Sequence, residues 1–264
     1  MPLKDSSVPE VTPLMTGLMF GESPRWRDGR FWVSDWAAHE IIAVDLEGKS
    51  KVVVREPSIP LCFDFLPDGG LVMMSGRRIR RLEPDGSLAT HADLTSLSEL
   101  GWNEIVVDGR ANAYVNAAGF DLMAGADFVP GTIAIVTADG FARHVADGIA
   151  FPNGMAVTPD NSTLIVAESY GRKLTAFDIG PTETFRTGEC GPTSATAFPM
   201  VSASMHRTLS GTPTSPISVA CAFARAGRSC RRSISIEAAS PACSEALIGE
   251  RCSWWRPSGA VPQA

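Results

Sequence analysis

Three polar side chains recur at equivalent points of a repeated sequence pattern. Glu22 lies in Gly-Glu-Ser-Pro, Asn103 in Trp-Asn-Glu and Asn153 in Pro-Asn-Gly, and each stands at the start of one repeat. Taken singly, each residue has a plainer interpretation, as a solvated loop carboxylate or a turn-forming amide. One carboxylate and two amides that converge would supply the oxygen ligands that Ca²⁺, Mg²⁺, Mn²⁺ or Zn²⁺ accept. Their shared position in the repeat favours such a cation site.

The repeat itself predicts the fold. Glu22, Cys62, Asn103 and Asn153 follow one another at intervals of 40, 41 and 50 residues. Each interval holds about four short apolar or β-branched runs, divided by Asp-Gly and Pro-Asp-Gly turns. This period is typical of a β-propeller, in which the first strand of each blade lines a central channel. A β-sandwich would also show many short strands, but the turn that recurs at one position favours an all-β propeller with about four recognisable blades.

The composition excludes several classes of partner. The 264 residues are 44% hydrophobic and 20% charged, as in a globular protein, and the net charge of -6 disfavours nucleic acid and anionic membranes. No apolar run approaches the ~20 residues that span a bilayer. The first residues lack the apolar core of a secretory signal, so we expect a cytoplasmic protein.

Cysteine and histidine usage argues against other chemistries. Cys62 alone falls in the first 180 residues, and no two cysteines have the two-to-four-residue spacing of a zinc knuckle. Without a secretion signal, no disulfide framework is predicted. The chain has four histidines and no Gly-x-Ser-x-Gly elbow, which disfavours a serine hydrolase.

The ordered motifs resemble those of a known family. With Gly-Glu-Ser-Pro at 21–24, Trp-Asn-Glu at 102–104 and Pro-Asn-Gly at 152–154, the chain from about Gly17 to Pro181 resembles the gluconolactonase, senescence-marker-protein and luciferin-regenerating group of six-bladed propellers. The resemblance implies a metal-dependent lactonase or related esterase that acts on a small-molecule lactone or ester. One divalent cation (Ca²⁺, Zn²⁺, Mg²⁺ or Mn²⁺) would polarise the carbonyl and activate a water. The alternative is a propeller that serves as a binding scaffold without catalysis, which would not need a cation site.

The resemblance also implies roles for individual residues. Glu22 would be the metal carboxylate and Asn153 a metal amide, while Asn103 would contact the substrate or the metal. Asp121 falls near the position of an acidic substrate contact. Gly101 stands where some relatives carry a substrate-binding Arg, so sugar-lactone specificity is not implied.

One element of the family pattern is missing. In the family, a carboxylate that ligates the metal and accepts a proton is the Asp of a Pro-Asp-Gly motif at the head of the fifth blade. No Pro-Asp-Gly occurs here after Gly86, so the catalytic residue is unassigned. Glu104 replaces the more usual Asp, a minor change. The natural substrate and the oligomeric state are left open.

The amino-acid composition and the strand pattern of the sequence change after Pro181. Residues 182–264 are rich in Ser, Arg, Cys, Pro and Thr and lack both strand alternation and Asp-Gly turns. When their codons are regrouped one base earlier, permissible codons restore both features and place a Pro-Asp-Gly at Pro199–Val201. We therefore predict an N-terminal extension (1–16), propeller blades (17–181) and an irregular, out-of-frame tail (182–264). In such a chain we expect the activity of the in-frame parent to be weakened or lost.

Overall fold

The regular structure of the chain is β-strand throughout the part that the structure describes. A computed structural model describes residues 13–180 and, beyond them, five strands within 185–192, 198–204, 217–225, 228–236 and 248–252. Of the predicted N-terminal extension, residues 1–12 lie outside the described part. Within the described residues, no helix is long and apolar enough to cross a membrane. The all-β prediction is confirmed.

Four antiparallel sheets follow one another along the chain, each with four strands in sequence order. The first two blades comprise β1 (Gly21–Arg27), β2 (Arg30–Asp35), β3 (Glu40–Asp45), β4 (Ser50–Arg55), β5 (Phe63–Phe65), β6 (Leu71–Ser75), β7 (Arg78–Leu82) and β8 (Leu88–Asp93). The next two comprise β9 (Glu104–Val107), β10 (Ala113–Ala117), β11 (Gly131–Val136), β12 (Ala142–Ile149), β13 (Pro152–Val157), β14 (Thr163–Glu168), β15 (Lys173–Ile179) and β16 (Phe185–Pro192). This is the four-blade propeller arrangement that the repeat predicts.

The first strands of successive blades lie side by side. β1 contacts β5, β5 contacts β9, and β9 contacts β13. Because these strands adjoin, residues at their starts are brought to one end of a shared channel, as the repeat predicts. The blade sheets therefore serve to present four short inner strands in a fixed order.

A further sheet follows the four blades. It consists of β17 (Phe198–Ser204), β18 (Ile217–Arg225), β19 (Arg228–Ile236) and β20 (Ile248–Cys252), and β17 lies beside β13 and β1. These strands and β16 fall where an irregular tail was expected, and the rest of that segment lies outside the described residues. The domain boundary at 181/182 and the out-of-frame origin stay predictions.

The Asp-Gly pairs make the turns that separate the strands. Asp28 and Gly29 have φ values of 51° and 71°, the left-handed pair that a two-residue hairpin of type I′ requires. Elsewhere the aspartate side chain accepts a hydrogen bond from a backbone N–H two residues on, at 2.8 Å from Asp68 to Gly70. These local hydrogen bonds explain why the sequence punctuation predicts the blade pattern so well.

The core lies between neighbouring blades. Ile41 and Phe63 pack between blades one and two, Met74 and Ile105 between blades two and three, in separate clusters of buried side chains. A third cluster, between blades three and four, includes Tyr114, Met155 and Phe177. Middle strands such as β6, β10 and β14 are covered on both faces, so their sequences are nearly continuous apolar runs. This packing holds the inner strands in place.

Candidate functional site

The predicted site residues lie at the starts of the inner strands. Glu22 is the second residue of β1 and Asn153 the second residue of β13, while Asn103 directly precedes β9. Cys62 stands in the same place before β5, but it is fully buried and its pKa is raised by desolvation. The second of the four repeat positions therefore packs as an apolar residue. Three polar side chains remain at this end of the inner strands.

The strand pairing is irregular, as in a β-bulge, at both predicted metal ligands. In the pairing of β1 with β2 the register shifts between Glu22 and Arg25, where Ser23 has a φ of 47°. In the pairing of β13 with β14 it shifts between Pro152 and Met155, a span that contains Asn153. A bulge bends its strand and redirects a side chain. Other strand pairs also contain register shifts, but among the pairings of β1, β5, β9 and β13 with their neighbours only these two do, and they lie at the two positions that the repeat marks as ligands.

The two amides are oriented by hydrogen bonds. The Nδ2 of Asn103 donates to the carbonyl oxygen of Pro152 at 3.3 Å, which joins blade three to blade four. The Nδ2 of Asn153 donates to the Oγ of Ser169 at 3.2 Å. Within the described part of the chain, neither Oδ1 accepts a hydrogen bond. The amide oxygens of Asn103 and Asn153 are therefore the atoms that a cation or a substrate would meet.

Asn116 is a polar residue that sequence reasoning missed. It lies fully buried in β10, and its Nδ2 donates to the carbonyl oxygen of Asn153 at 2.6 Å. Its own carbonyl oxygen accepts from the backbone N–H of Asn103 at 2.7 Å. Its buried Oδ1 has no hydrogen-bond partner among the described residues. Asn116 thus ties the two amide-bearing segments together.

Glu22 is poorly solvated. Burial, and after it the negative charge of Glu104, raises the pKa of Glu22 to about 7, well above the ordinary range of a glutamate. A carboxyl group that is costly to ionise alone is stabilised as a carboxylate by a nearby cation. The described residues contain no group of three His, Cys, Asp or Glu side chains that could hold a metal. A cation here would depend on one carboxylate and amide oxygens, a set that fits a hard divalent ion.

A network of buried charges lies beside Glu22. The Arg25 Nε is 3.3 Å from Asp64 Oδ1, and its Nη2 is 3.4 Å from Glu104 Oε1. The Ser23 Oγ donates to the same Glu104 oxygen at 3.2 Å. Burial raises the pKa of Glu104, and the charge of Arg25 opposes that shift. Three blades are linked by these contacts, because the residues belong to β1, β5 and β9.

Asp121 lies in a loop between β10 and β11. Its Oδ1 accepts a hydrogen bond from the backbone N–H of Ala124 at 3.0 Å, and the residue is exposed. Together with Glu99, Leu100 and Phe120 it lines a cleft of about 440 Å³. The side chain is placed where a bound molecule would reach it. Its role as a substrate contact stays a prediction, as do the metal roles of Glu22 and Asn153.

The missed residues had only weak signals in the sequence. Asn116 interrupts the apolar run Ala113–Ala117, and Glu104 opens the run that follows Asn103. Ser169 comes directly after a strand. A polar residue inside a buried strand is the one pattern that would have pointed to Asn116 and Glu104.

Residues 20–188 match the family described as the SMP-30/gluconolactonase/LRE-like region. The chain belongs to this family. Diisopropyl-fluorophosphatase of Loligo vulgaris is 28% identical over 207 residues, an alignment that covers 66% of this chain and 66% of that enzyme. The chain therefore spans just under two thirds of the length of this curated relative. The relatives of this chain include hydrolytic enzymes, which supports its assignment to a family of hydrolases.

Solved structures share the fold of this family member. A gluconolactonase from Xanthomonas campestris has a TM-score of 0.62 at 18% identity, with 83% of this chain and 74% of that chain covered. Regucalcin from Agrobacterium tumefaciens, described as a calcium-binding protein, has a TM-score of 0.63 at 16% identity, with coverages of 87% and 85%. The family resemblance that the motifs predict is confirmed.

Proposed function

We propose that the protein is a metal-dependent hydrolase of the lactonase type, which acts on a small-molecule lactone or related carboxylic ester. The observation that carries the proposal is that Glu22, Asn103 and Asn153 stand at the starts of the inner strands of blades one, three and four. The raised pKa of Glu22 supports it, because a cation would stabilise that carboxylate. The calcium-binding description of the related regucalcin agrees with a cation.

Each residue has a separate task in this proposal. Glu22 and Asn153 hold one divalent cation (Ca²⁺, Zn²⁺, Mg²⁺ or Mn²⁺), with their oxygens as ligands. When bound, the cation supplies Lewis-acid polarisation of the substrate carbonyl. Asn103 contacts the substrate or the cation, and its Oδ1 is the atom that faces them because its Nδ2 is held by Pro152. Asp121 contacts the substrate from the cleft that it lines.

A second candidate function has one observation in its favour. The sequence contains no Pro-Asp-Gly after Gly86 to supply the carboxylate that the family resemblance implies. A chain without that group could bind a cation and a small molecule and yet fail to hydrolyse it. This is a non-catalytic scaffold that retains a cation site it does not need, and in an assay it is distinguished from the leading proposal by the absence of turnover.

The test is a lactone-hydrolysis assay in which turnover is monitored by the release of protons. Activity is measured after treatment with a chelator and after each of the four cations is added back. Because a bound cation contributes several kcal/mol to carbonyl polarisation, Glu22→Gln and Asn153→Ala should each lower kcat/KM at least about a hundredfold. Glu47→Gln, which changes an exposed glutamate in the turn after β3, is the matched control and should leave activity unchanged.

Three outcomes separate the candidates. Turnover that the chelator abolishes and the two site variants lose supports the lactonase. Cation binding without turnover of any lactone supports the scaffold. Full activity in both Glu22→Gln and Asn153→Ala would show that the site has been misplaced.

A further inference from the structure

Four aromatic side chains meet in one group, which we call the aromatic cluster: Phe120, Phe128, Phe151 and Tyr170. Phe151 and Tyr170 stack with ring centroids 4.8 Å apart and an interplanar angle of 18°. The Phe120 centroid lies 5.6 Å from that of Phe128 and 5.7 Å from that of Phe151. Phe128 and Tyr170 are 5.5 Å apart. Each ring is thus in contact range of at least two of the others.

The aromatic cluster adjoins the candidate site directly. Phe151 is two residues before Asn153, and its carbonyl oxygen accepts from the backbone N–H of Ser169 at 3.0 Å. The Oγ of that same Ser169 accepts from Asn153 Nδ2. Tyr170 follows Ser169 in the chain. The stacked pair therefore borders the amide that is proposed to hold the cation.

The cluster forms part of an exposed apolar patch. Of the ten large hydrophobic side chains exposed in the described residues, five lie at this corner: Leu122, Met123, Phe128, Val129 and Tyr170. Phe128 and Tyr170 are 47% and 42% exposed, whereas Phe120 beneath them is 7% exposed. Concentrated exposed apolar surface is typical of a binding site, because scattered single side chains are the normal case.

The two ends of the loop between β10 and β11, which carries most of the patch, approach each other closely. A Cβ at Gly119 would collide with the carbonyl oxygen of Pro130, and one at Gly131 would collide with that of Ala117. The two glycines therefore allow the ends of the loop to approach closely. Because the two ends of the loop lie close together, residues 120–129 stay near the end of β10. The contact of Phe120 with Phe151 places this loop beside the start of β13.

The adjoining cleft adds a charge preference. Its lining includes the carboxylates of Glu99 and Asp121, and no Lys or Arg is among the described residues that line it. An anionic ligand would be repelled there, and no cationic side chain would compensate. The cleft therefore suits a neutral molecule, and the aromatic cluster beside it suits one that is partly apolar.

We propose that the aromatic cluster is a subsite for the apolar substituent of the substrate. The preferred substrates are then neutral lactones or esters that carry an aliphatic or aromatic group, not anionic or polyhydroxylated sugar lactones. The reacting carbonyl lies toward Asn103 and Asn153, and its substituent packs against Phe128 and Tyr170. This assignment rests on the proposed function for the carbonyl end of the substrate, but the subsite can be tested by binding alone.

The test uses two lactams as unreactive analogues of lactones. The dissociation constants of δ-valerolactam and of its 6-pentyl derivative are measured by titration calorimetry on the full chain with added Ca²⁺ or Mn²⁺. Because each buried methylene tightens binding about fourfold, the pentyl lactam should bind at least about tenfold more tightly. Equal affinities, tighter binding of the unsubstituted ring, or no binding of either lactam would overturn the subsite.

Substitutions assign the preference to the cluster. Tyr170→Ala and Phe128→Ala should each cut the advantage of the pentyl lactam to less than about threefold and leave the affinity for δ-valerolactam unchanged. Phe141→Ala is the matched control, because Phe141 is 60% exposed in the turn between β11 and β12. An undiminished preference in both cluster variants, or an equal loss in Phe141→Ala, would contradict the assignment.

Two features keep the result decisive. Phe128 and Tyr170 lie at the surface, so thermal unfolding should show both variants folded, and either one suffices if the other is unstable. A pentyl preference in a protein that hydrolyses no lactone supports the subsite and refutes the lactonase. A lactonase without any preference refutes the subsite alone.

Discussion

The Nη2 of Arg25 lies 3.4 Å from Oε1 of Glu104, although the two residues belong to the first and third blades. Both side chains are only 10% exposed, and Asp64 of the second blade pairs with the same guanidinium. The Arg25 Nη2 also donates to the carbonyl oxygen of Ile105 at 2.7 Å. The buried guanidinium of Arg25 therefore joins the inner strands of three blades, and its partner Glu104 is near enough to Glu22 to raise the pKa of that carboxyl group.

Removal of Arg25 should destabilise the protein strongly. Arg25→Met would leave the carboxylates of Asp64 and Glu104 buried without their cation. Breaking a buried pair in this way costs about 3–5 kcal/mol in the free energy of unfolding. Urea unfolding followed by tryptophan fluorescence measures the effect.

Arg55→Met is the control for this change. Arg55 Nη2 lies 2.8 Å from Glu40 Oε1, but the Arg55 side chain is 72% exposed. An exposed ion pair contributes little because water and salt screen it. Equal destabilisation by the two substitutions would show that the buried network has no special role.

The raised pKa of Glu22 predicts a pH dependence of stability in the chelated protein. Between pH 4.5 and about 7 the folded protein retains a proton that the unfolded chain releases. Stability therefore falls as pH rises through this interval, since the folded state binds more protons there. Glu22→Gln removes this component and should be more stable than the parent at pH 8 by at most about 3 kcal/mol.

The comparison is made by urea unfolding at pH 4.5 and pH 8 in the presence of a chelator. Glu47→Gln should follow the parent at both values, because Glu47 is exposed. If Glu22→Gln and the parent lose the same stability between the two pH values, the Glu22 carboxyl is not desolvated as the structure indicates.

A bound divalent cation should offset the loss of folding stability that the ionisation of Glu22 causes. Added at one hundred times its dissociation constant, a ligand that binds only the folded state stabilises it by about 2.7 kcal/mol. We expect a rise in the unfolding temperature with the preferred cation at pH 8, measured by calorimetry. Glu22→Gln and Asn153→Ala should show a much smaller rise. An equal rise in both variants would place the cation elsewhere.

The sequence predicts the fold well because the evidence for it is local. Asp-Gly turns, apolar runs and a regular period are all read from neighbouring residues, and the period also places Glu22 and Asn153 at strand starts. The buried network could not be predicted, since Arg25 and Glu104 are far apart in the chain and no repeat relates them. The bulges were missed for a similar reason, because a shift in pairing register depends on the partner strand.

The aromatic cluster lies beyond sequence reasoning for a further reason. Phe120, Phe128, Phe151 and Tyr170 have no common spacing, and each alone is an ordinary aromatic residue of a β protein. Their contact arises only when the loop after β10 folds back over the starts of β13 and the turn after β14. A three-dimensional arrangement of this kind leaves no periodic trace in the chain.

The last prediction concerns residues 182–264. We propose that a one-base slip near the codon of Pro181 put this segment out of frame. Regrouped codons turn Pro199–Val201 into Pro-Asp-Gly, so an aspartate would replace Met200. β17, which contains these residues, lies beside β13 and β1. Met200 follows Pro199 in β17 as Asn153 follows Pro152 in β13, which supports an aspartate at the missing ligand position.

Resequencing across the codon of Pro181 tests the slip, and an insertion or deletion of one base is expected there. The frame-corrected protein should then hydrolyse lactones at least about a hundredfold faster than the present chain, because it regains a carboxylate beside the cation. Met200→Asp in the uncorrected chain is the matched control. It adds the carboxylate but leaves the surrounding sequence out of frame, so it should restore little activity. The slip would be refuted if resequencing finds no inserted or deleted base near the codon of Pro181 and the shifted frame encodes no Pro-Asp-Gly.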